Sequence, residues 1–240
     1  RFTRNTNENV FWPYITNRIS GFVPQLGNGA GFEKISPGRN LQLIPYGSFG
    51  RSHFLDSNAP SPLFRSKNDP RIGLDAKAVL HDSLTLDVTL NPDFGQVESD
   101  DPQVTVNQRF EVFFPEKRTF FLENTGYFST PENLFFSRRI GISDDGPVPV
   151  IGGARMTGRV GAQTIGLLDI VTDKTSWGEP RTNFNVMRVK RDVGEAGYVG
   201  AMLTDRRSAD SSNTAGGIDV SLWPSPTFNL QGFAVRTAID

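Results

Sequence analysis

The sequence has no cysteine in its 240 residues. A disulfide framework, a thiol nucleophile and a zinc–thiolate centre are therefore excluded. Histidine is nearly as scarce: His53 and His81 are the whole supply, which argues against a multi-histidine metal site. Charge of one sign is also lacking. Lys plus Arg is 25 and Asp plus Glu is 26, a net charge of −1, so the chain exerts no global pull on nucleic acid and no nucleic-acid partner is expected. The mean hydropathy is −0.34, and no apolar run reaches the roughly 18 residues of a membrane-crossing helix. Helical periodicity is almost absent. No phosphate-binding loop, dinucleotide fingerprint or G-x-S-x-G elbow occurs, and neither histidine has a convincing Ser and Asp constellation. No enzyme is expected.

None of these absences excludes a membrane crossed by strands. A barrel strand needs only about ten residues of alternating polarity and leaves a weak hydropathy trace. The composition suits that class: Gly 24 and Pro 16 supply turns, and Phe 19 dominates the aromatics.

Residues 1–38 are aromatic, Asn-rich and Gly-rich, and read as a lead-in or linker from a preceding domain. Arg1 and the strand-like run up to Ile239-Asp240 read as cut ends within a longer protein. From Arg39 a period of two takes over. In 70–91, Ile72, Leu74, Ala76 and Ala78 share one face and Gly73, Asp75 and Lys77 the other. After a three-residue connection at 81–83, Leu84, Leu86, Val88 and Leu90 oppose Thr85, Asp87, Thr89 and Asn91. Strict alternation around a short connection predicts a β-hairpin.

Further strands are expected at 39–54, 108–115, 134–143, 149–159, 162–172, 182–191, 197–205, 214–223 and 227–238. Alternation weakens in 162–172 and 197–205, where apolar residues occupy both faces. Connections alternate between short (81–83, around 160–161, 192–196, 224–226) and long (55–69, 173–181, 206–213). Short periplasmic turns alternating with longer external loops mark outer-membrane barrels; a Greek-key sandwich has no reason to alternate this way. The expected fold is all-β: an antiparallel up-and-down meander of about ten to twelve strands over 39–240, forming part of an outer-membrane β-barrel. Residues 92–148 are expected as a lumen or rim insertion. An incomplete barrel exposes unpaired edges in lipid, so 39–240 are not expected to close alone. Trp223 falls at an inferred periplasmic strand end and Trp177 in an inferred extracellular loop, positions where membrane-interface aromatics are expected.

Residues 91–123 read NPDFGQVESDDPQVTVNQRFEVFFPEKRTFFLE. Asn91 to Val97, Glu98 and Asp100, then Phe110, Phe113 to Arg118 and Phe120 to Glu123, resemble the signature of a bacterial outer-membrane family known as domain of unknown function 5916. Ile35 to Arg39, Leu41, Pro45-Tyr46, Asp69-Pro70, Gly73, Asp75, Phe136 to Gly141 and Ile151 to Ala154 extend the likeness over about 1–170. Thr119 departs from it, standing where a proline is usual. The resemblance implies a bacterial outer-membrane location. It also implies a β-sandwich similar to carbohydrate-binding family 9 ahead of the barrel, which makes a periplasmic carbohydrate-binding domain of the same parent chain an expected partner. It implies no established reaction or cargo.

Two groups of residues have chemistry to offer. Asp93, Glu98, Asp100 and Asp101 cluster in a Gly- and Pro-rich stretch and are candidate calcium ligands, since hard cations take several oxygens from flexible loops. Their spacing is not an EF-hand's, and a solvated acidic loop is the plainer reading. Glu116, Lys117, Arg118 and Glu123 lie between phenylalanines, followed by Arg138 and Arg139. A basic side chain facing lipid at midplane costs roughly 2–4 kcal/mol, so these six are expected as a charge network in the lumen, fixing the fold or tuning passage. The function expected is passage of small molecules or glycans across the outer membrane. A structural barrel that anchors a binding domain or joins a membrane complex is the alternative, and a soluble β-sandwich a third.

Overall fold

The computed structural model describes residues 2, 3, 8, 9, 15, 25–27, 31, 40–56, 63–80, 83–92, 116–143, 146–194, 197–225 and 227–240. Their main feature is one antiparallel sheet of nine strands: β1 (Leu41–Asp56), β2 (Leu63–Leu80), β3 (Leu84–Leu90), β4 (Val150–Val160), β5 (Gln163–Thr172), β6 (Thr182–Val193), β7 (Gly197–Arg207), β8 (Ser212–Ser225) and β9 (Phe228–Ile239). The strands pair in chain order from β1 to β9. Among the described residues β1 and β9 are paired on one side only. No helix of the described residues is long and apolar enough to cross a membrane.

The connections sort by end. At one end they are 81–83, 161–162, 194–196 and 226–227; at the other, 57–62, 91–149, 173–181 and 208–211. The short set and the long set thus lie at opposite ends of the strands, as a meander requires. β1 and β2 run further than the periodicity indicates, so the 55–69 connection shrinks to 57–62. They pair over 16 register positions, and the ribbon outruns β3, whose ladder with β2 stops at Leu74↔Leu90.

One expected strand does not form. Residues 134–143 contain a 3-10 turn at Ser137–Arg139 and a two-residue strand, Ile142–Ser143, paired with Gly146–Pro147. Their apolar residues are used otherwise: Leu134 and Phe135 pack against the sheet's buried cluster. The expected strand at 108–115 lies outside the described residues. Nine strands, rather than ten to twelve, are therefore seen in the main sheet among the described residues.

Register fixes which side chains share a face. Leu43, Ala76, Val88 and Ala154 form one row across β1 to β4. Met156, Leu167, Met187 and Leu203 form another across β4 to β7. Ile165, Val189, Ala201, Ile218 and Ala234 continue the same face to β9. This face is apolar and open: Ile72 is 79% and Ile218 62% exposed, and Leu41, Leu43, Phe49, Leu90, Met187 and Leu203 are exposed beside them.

Over β3 to β8 the opposite face is covered, and much of it is polar. Thr89, Asp87, Arg155, Thr157, Arg188, Asp219 and Ser221 are all buried there. A sheet in water does the reverse, covering its apolar face. The cover here includes part of the β3–β4 connection, residues 116–143. Phe121 and Phe128 form a buried cluster with Leu168, Ile170, Val186 and Met202 of β5 to β7. That packing is the physical reason that alternation weakens in β5 and β7: their inward positions meet phenylalanine rather than water.

Candidate functional site

The site is the contact between the polar face and residues 116–143. Its centre is Arg155 of β4, 2% exposed. Arg155 and Asp87 are register partners on β4 and β3, with Nη2 2.6 Å and Nε 3.3 Å from Asp87 Oδ2. Nη1 donates to the carbonyls of Phe120 and Glu123, both in the covering segment. The guanidinium also lies over the Phe120 ring, 5.2 Å from its centroid. Lys77 of β2, the register partner of Asp87 on its other side, has Nζ 2.5 Å from Glu123 Oε2 and 3.7 Å from Asp87 Oδ1. Asn124 donates to the Thr157 hydroxyl at 3.1 Å. One row of the sheet, Lys77–Asp87–Arg155, thus grips the turn at 120–124.

A second knot lies within the segment. Arg118 and Glu116 meet through two bonds, Nε to Oε1 at 2.8 Å and Nη2 to Oε2 at 2.7 Å, the fork geometry in which Arg binds a carboxylate most strongly. Arg118 also donates to the Ile140 carbonyl at 2.5 Å and the Ser137 carbonyl at 2.8 Å, and lies 4.1 Å from the Phe121 ring centroid. The Ser137 hydroxyl donates to Glu116 at 2.7 Å. Burial pushes the Glu116 carboxyl up, but the bonds and charge of Arg118 with the Ser137 hydroxyl outweigh it and hold the carboxyl below its usual range. The short helix Thr119–Leu122 and the turn at Thr125–Phe128 are thereby fastened to 137–140.

A third feature lies on β6 to β8. Arg188 pairs with Asp219 through both guanidinium nitrogens, one at 2.8 Å from Oδ2, and both side chains are buried. The pair passes over Gly200 of β7. A Cβ there would fall 2.6 Å from Arg188 Nη1, so only glycine leaves the guanidinium its place.

The six charged residues expected as one network are divided. Glu116 and Arg118 make the internal knot, and Glu123 joins the wall cluster. Arg138 is buried, whereas Lys117 and Arg139 are exposed. The Lys77, Asp87 and Arg155 cluster and the Arg188–Asp219 pair were not anticipated as sites. A signal existed: Arg155 stands alone among Gly153, Ala154, Met156 and Thr157, and Asp87 and Asp219 fall on the polar phase of their strands. Asp93, Glu98, Asp100 and Asp101, the candidate calcium ligands, lie outside the described residues, and among the described residues no group of acids and histidines is arranged to hold a metal. Trp177 lies in the 173–181 connection, and Trp223 near the short-connection end of β8, at opposite ends of the strands.

A family model described as Domain of unknown function (DUF5916) matches residues 37–151. That segment belongs to the DUF5916 family. The DUF5916 match takes in β1, β2, β3 and the whole covering segment, with Lys77, Asp87, Glu116, Arg118 and Glu123; Arg155 follows just beyond it. No curated protein and no solved structure matches the chain.

Proposed function

We propose that the nine strands are wall of a bacterial outer-membrane β-barrel serving the passage of small solutes, with residues 116–143 seated in the lumen. The inverted polarity of the sheet carries this reading. An exposed apolar face stretching from Leu43 to Ile218, backed by a buried face of Arg, Asp and Thr, is costly in water and stable when lipid lies outside. Outward polar residues bound the apolar surface near the long-connection end. Asn183 donates to Asp169 at 2.9 Å, Thr214 to Asp205 at 2.6 Å, and Arg207 pairs with Asp205 at 2.8 Å. Short turns then face the periplasm and long connections the exterior.

The cover on the inner face favours a second reading, a structural barrel that anchors other domains. A bimane fluorophore on Ile218→Cys or Leu86→Cys, in nanodiscs containing brominated lipid, tests the wall. Quenching at both, with none at Thr85→Cys on the opposite face, is the expected result; equal quenching on both faces would sink it. Single-channel recording then separates the two roles, since a barrel silent under all conditions is an anchor.

A further inference from the structure

We propose that residues 116–143 are a preformed plug that leaves the wall as a unit, and that Arg155 is the latch that holds it. This rests on the lumen reading above. Three observations support a separable body rather than a permanent part of the wall.

The plug carries its own fastening. The Glu116–Arg118 fork, with the bonds from Arg118 to Ser137 and Ile140, ties its beginning to its end without using the sheet. This fastening does not depend on the docked position.

The wall also keeps its charges matched when the plug is gone. Asp87 sits between Arg155 and Lys77 on adjacent strands, with Arg155 Nη2 at 2.6 Å and Lys77 Nζ at 3.7 Å. Undocking takes from Arg155 the carbonyls of Phe120 and Glu123, the Phe120 ring and the Glu123 carboxylate, 3.5 Å away. Water replaces these acceptors, and the buried pair of Arg155 and Asp87 stays intact. The step that usually makes opening a buried ion pair prohibitive is absent.

The docked state is imperfect on the plug's other side. Glu132 has one carboxylate oxygen, Oε1, buried with no hydrogen-bond partner among the described residues. A buried acceptor left unmade is costly, and release into water satisfies it. Against this stand the contacts of Phe121 and Phe128 with Leu168, Ile170, Val186 and Met202, which keep the docked state dominant. The plug is thus held by apolar packing, by the Lys77–Glu123 and Asn124–Thr157 contacts and by the Arg155 latch at their centre, and weakening the latch shifts the population towards release.

The test uses the absence of cysteine. Thr157, 1% exposed, lies under Asn124 of the plug, so Thr157→Cys reports on docking. In nanodiscs, its reaction with a water-soluble maleimide is measured with and without Arg155→Gln, and with Glu123→Gln, which alters the plug side alone. The expected outcome is slow labelling in the parent and at least ten-fold faster labelling with Arg155→Gln, the barrel staying folded by its gel mobility before heating. An Asn124→Cys/Thr157→Cys disulfide should form, and its reduction should restore labelling. Unchanged labelling in both Arg155→Gln and Glu123→Gln overturns the latch. If Arg155→Gln does not fold, Glu123→Gln decides alone: labelling of Thr157→Cys unchanged by Glu123→Gln overturns the proposal. A failed lipid-quenching test would overturn the membrane reading while leaving the docking result interpretable.

Discussion

Arg155 and Asp87 face each other across the β3–β4 ladder as direct register partners, Nη2 2.6 Å from Oδ2. Both are buried on the face that would be solvated in an ordinary amphipathic sheet. Removing one member of a buried pair strands the other and costs about 3–5 kcal/mol, while replacing both by apolar groups is often neutral. Asp87→Ala is therefore expected to lower the stability by about 3 kcal/mol in denaturant melts of the reconstituted protein. The paired change Asp87→Leu with Arg155→Met should recover most of it. A single change as mild as the double would mean that the pair is solvated.

Gly200 gives a second stability prediction. Arg188 reaches Asp219 by crossing the site where a Gly200 side chain would stand, with Nη1, Nη2 and Cζ all within 2.8 Å of that position. A guanidinium pushed aside would strain its two bonds to Asp219. Gly200→Ala is expected to cost about 1–3 kcal/mol, the range for overpacking a filled site. Gly161, with nothing near its Cβ position but a φ of +59° in the β4–β5 turn, makes the control: alanine there is penalised by backbone conformation alone.

Acid should loosen the plug, and the sign follows from Glu116. Its carboxyl is held below the usual range in the folded protein, so it adds stability at pH values above the unfolded carboxylate's and loses it as pH falls through the lowered folded value. Neutral and mildly acidic solutions should leave residues 116–143 protected in hydrogen exchange. Protection should fall below the ordinary carboxylate range. Glu116→Gln should show the loosened state already at neutral pH, with a flatter response to acid. An unchanged acid profile in that variant would assign the transition to other groups.

The hairpin of β2 and β3 was legible because every second residue reports one environment. Ile72, Leu74, Ala76 and Ala78 do share a face with Leu86, Val88 and Leu90, and Asp75 and Lys77 do oppose Thr89 and Asp87. What periodicity could not reveal was that the polar phase is the covered one. That depends on residues 116–143 lying against it, and nothing local in β3 or β4 encodes so distant a contact. The same contact explains two further differences. Leu168, Ile170 and Met202 blur the alternation of their strands because they meet Phe121 and Phe128. The apolar run at 134–136 resembles a strand by composition but is used as packing. The charge network divided for a comparable reason: Glu116 and Glu123 are seven residues apart, yet the Thr119–Leu122 turn sends one inward to Arg118 and the other outward to Lys77.

Ile218 allows the membrane reading to be checked by energetics alone. It is 62% exposed, and its cross-strand neighbours Ala201 and Ala234 are small. In a water-soluble sheet an exposed isoleucine is replaceable, and surface changes of this kind fall within about 0.5 kcal/mol. Facing hydrocarbon, an arginine at that position costs roughly 2–4 kcal/mol near the bilayer midplane, with less towards the interfaces. Ile218→Arg and Asn183→Arg, the latter on the same face near the long-connection end, should therefore differ when unfolded from lipid bilayers. The first should lose about 2 kcal/mol or more and the second under 1 kcal/mol. The same pair in detergent micelles should differ less, because a micelle lets the charge reach water. Equal and small losses at both sites in a bilayer would mean that the apolar face meets protein or water, and the barrel wall would have to be given up.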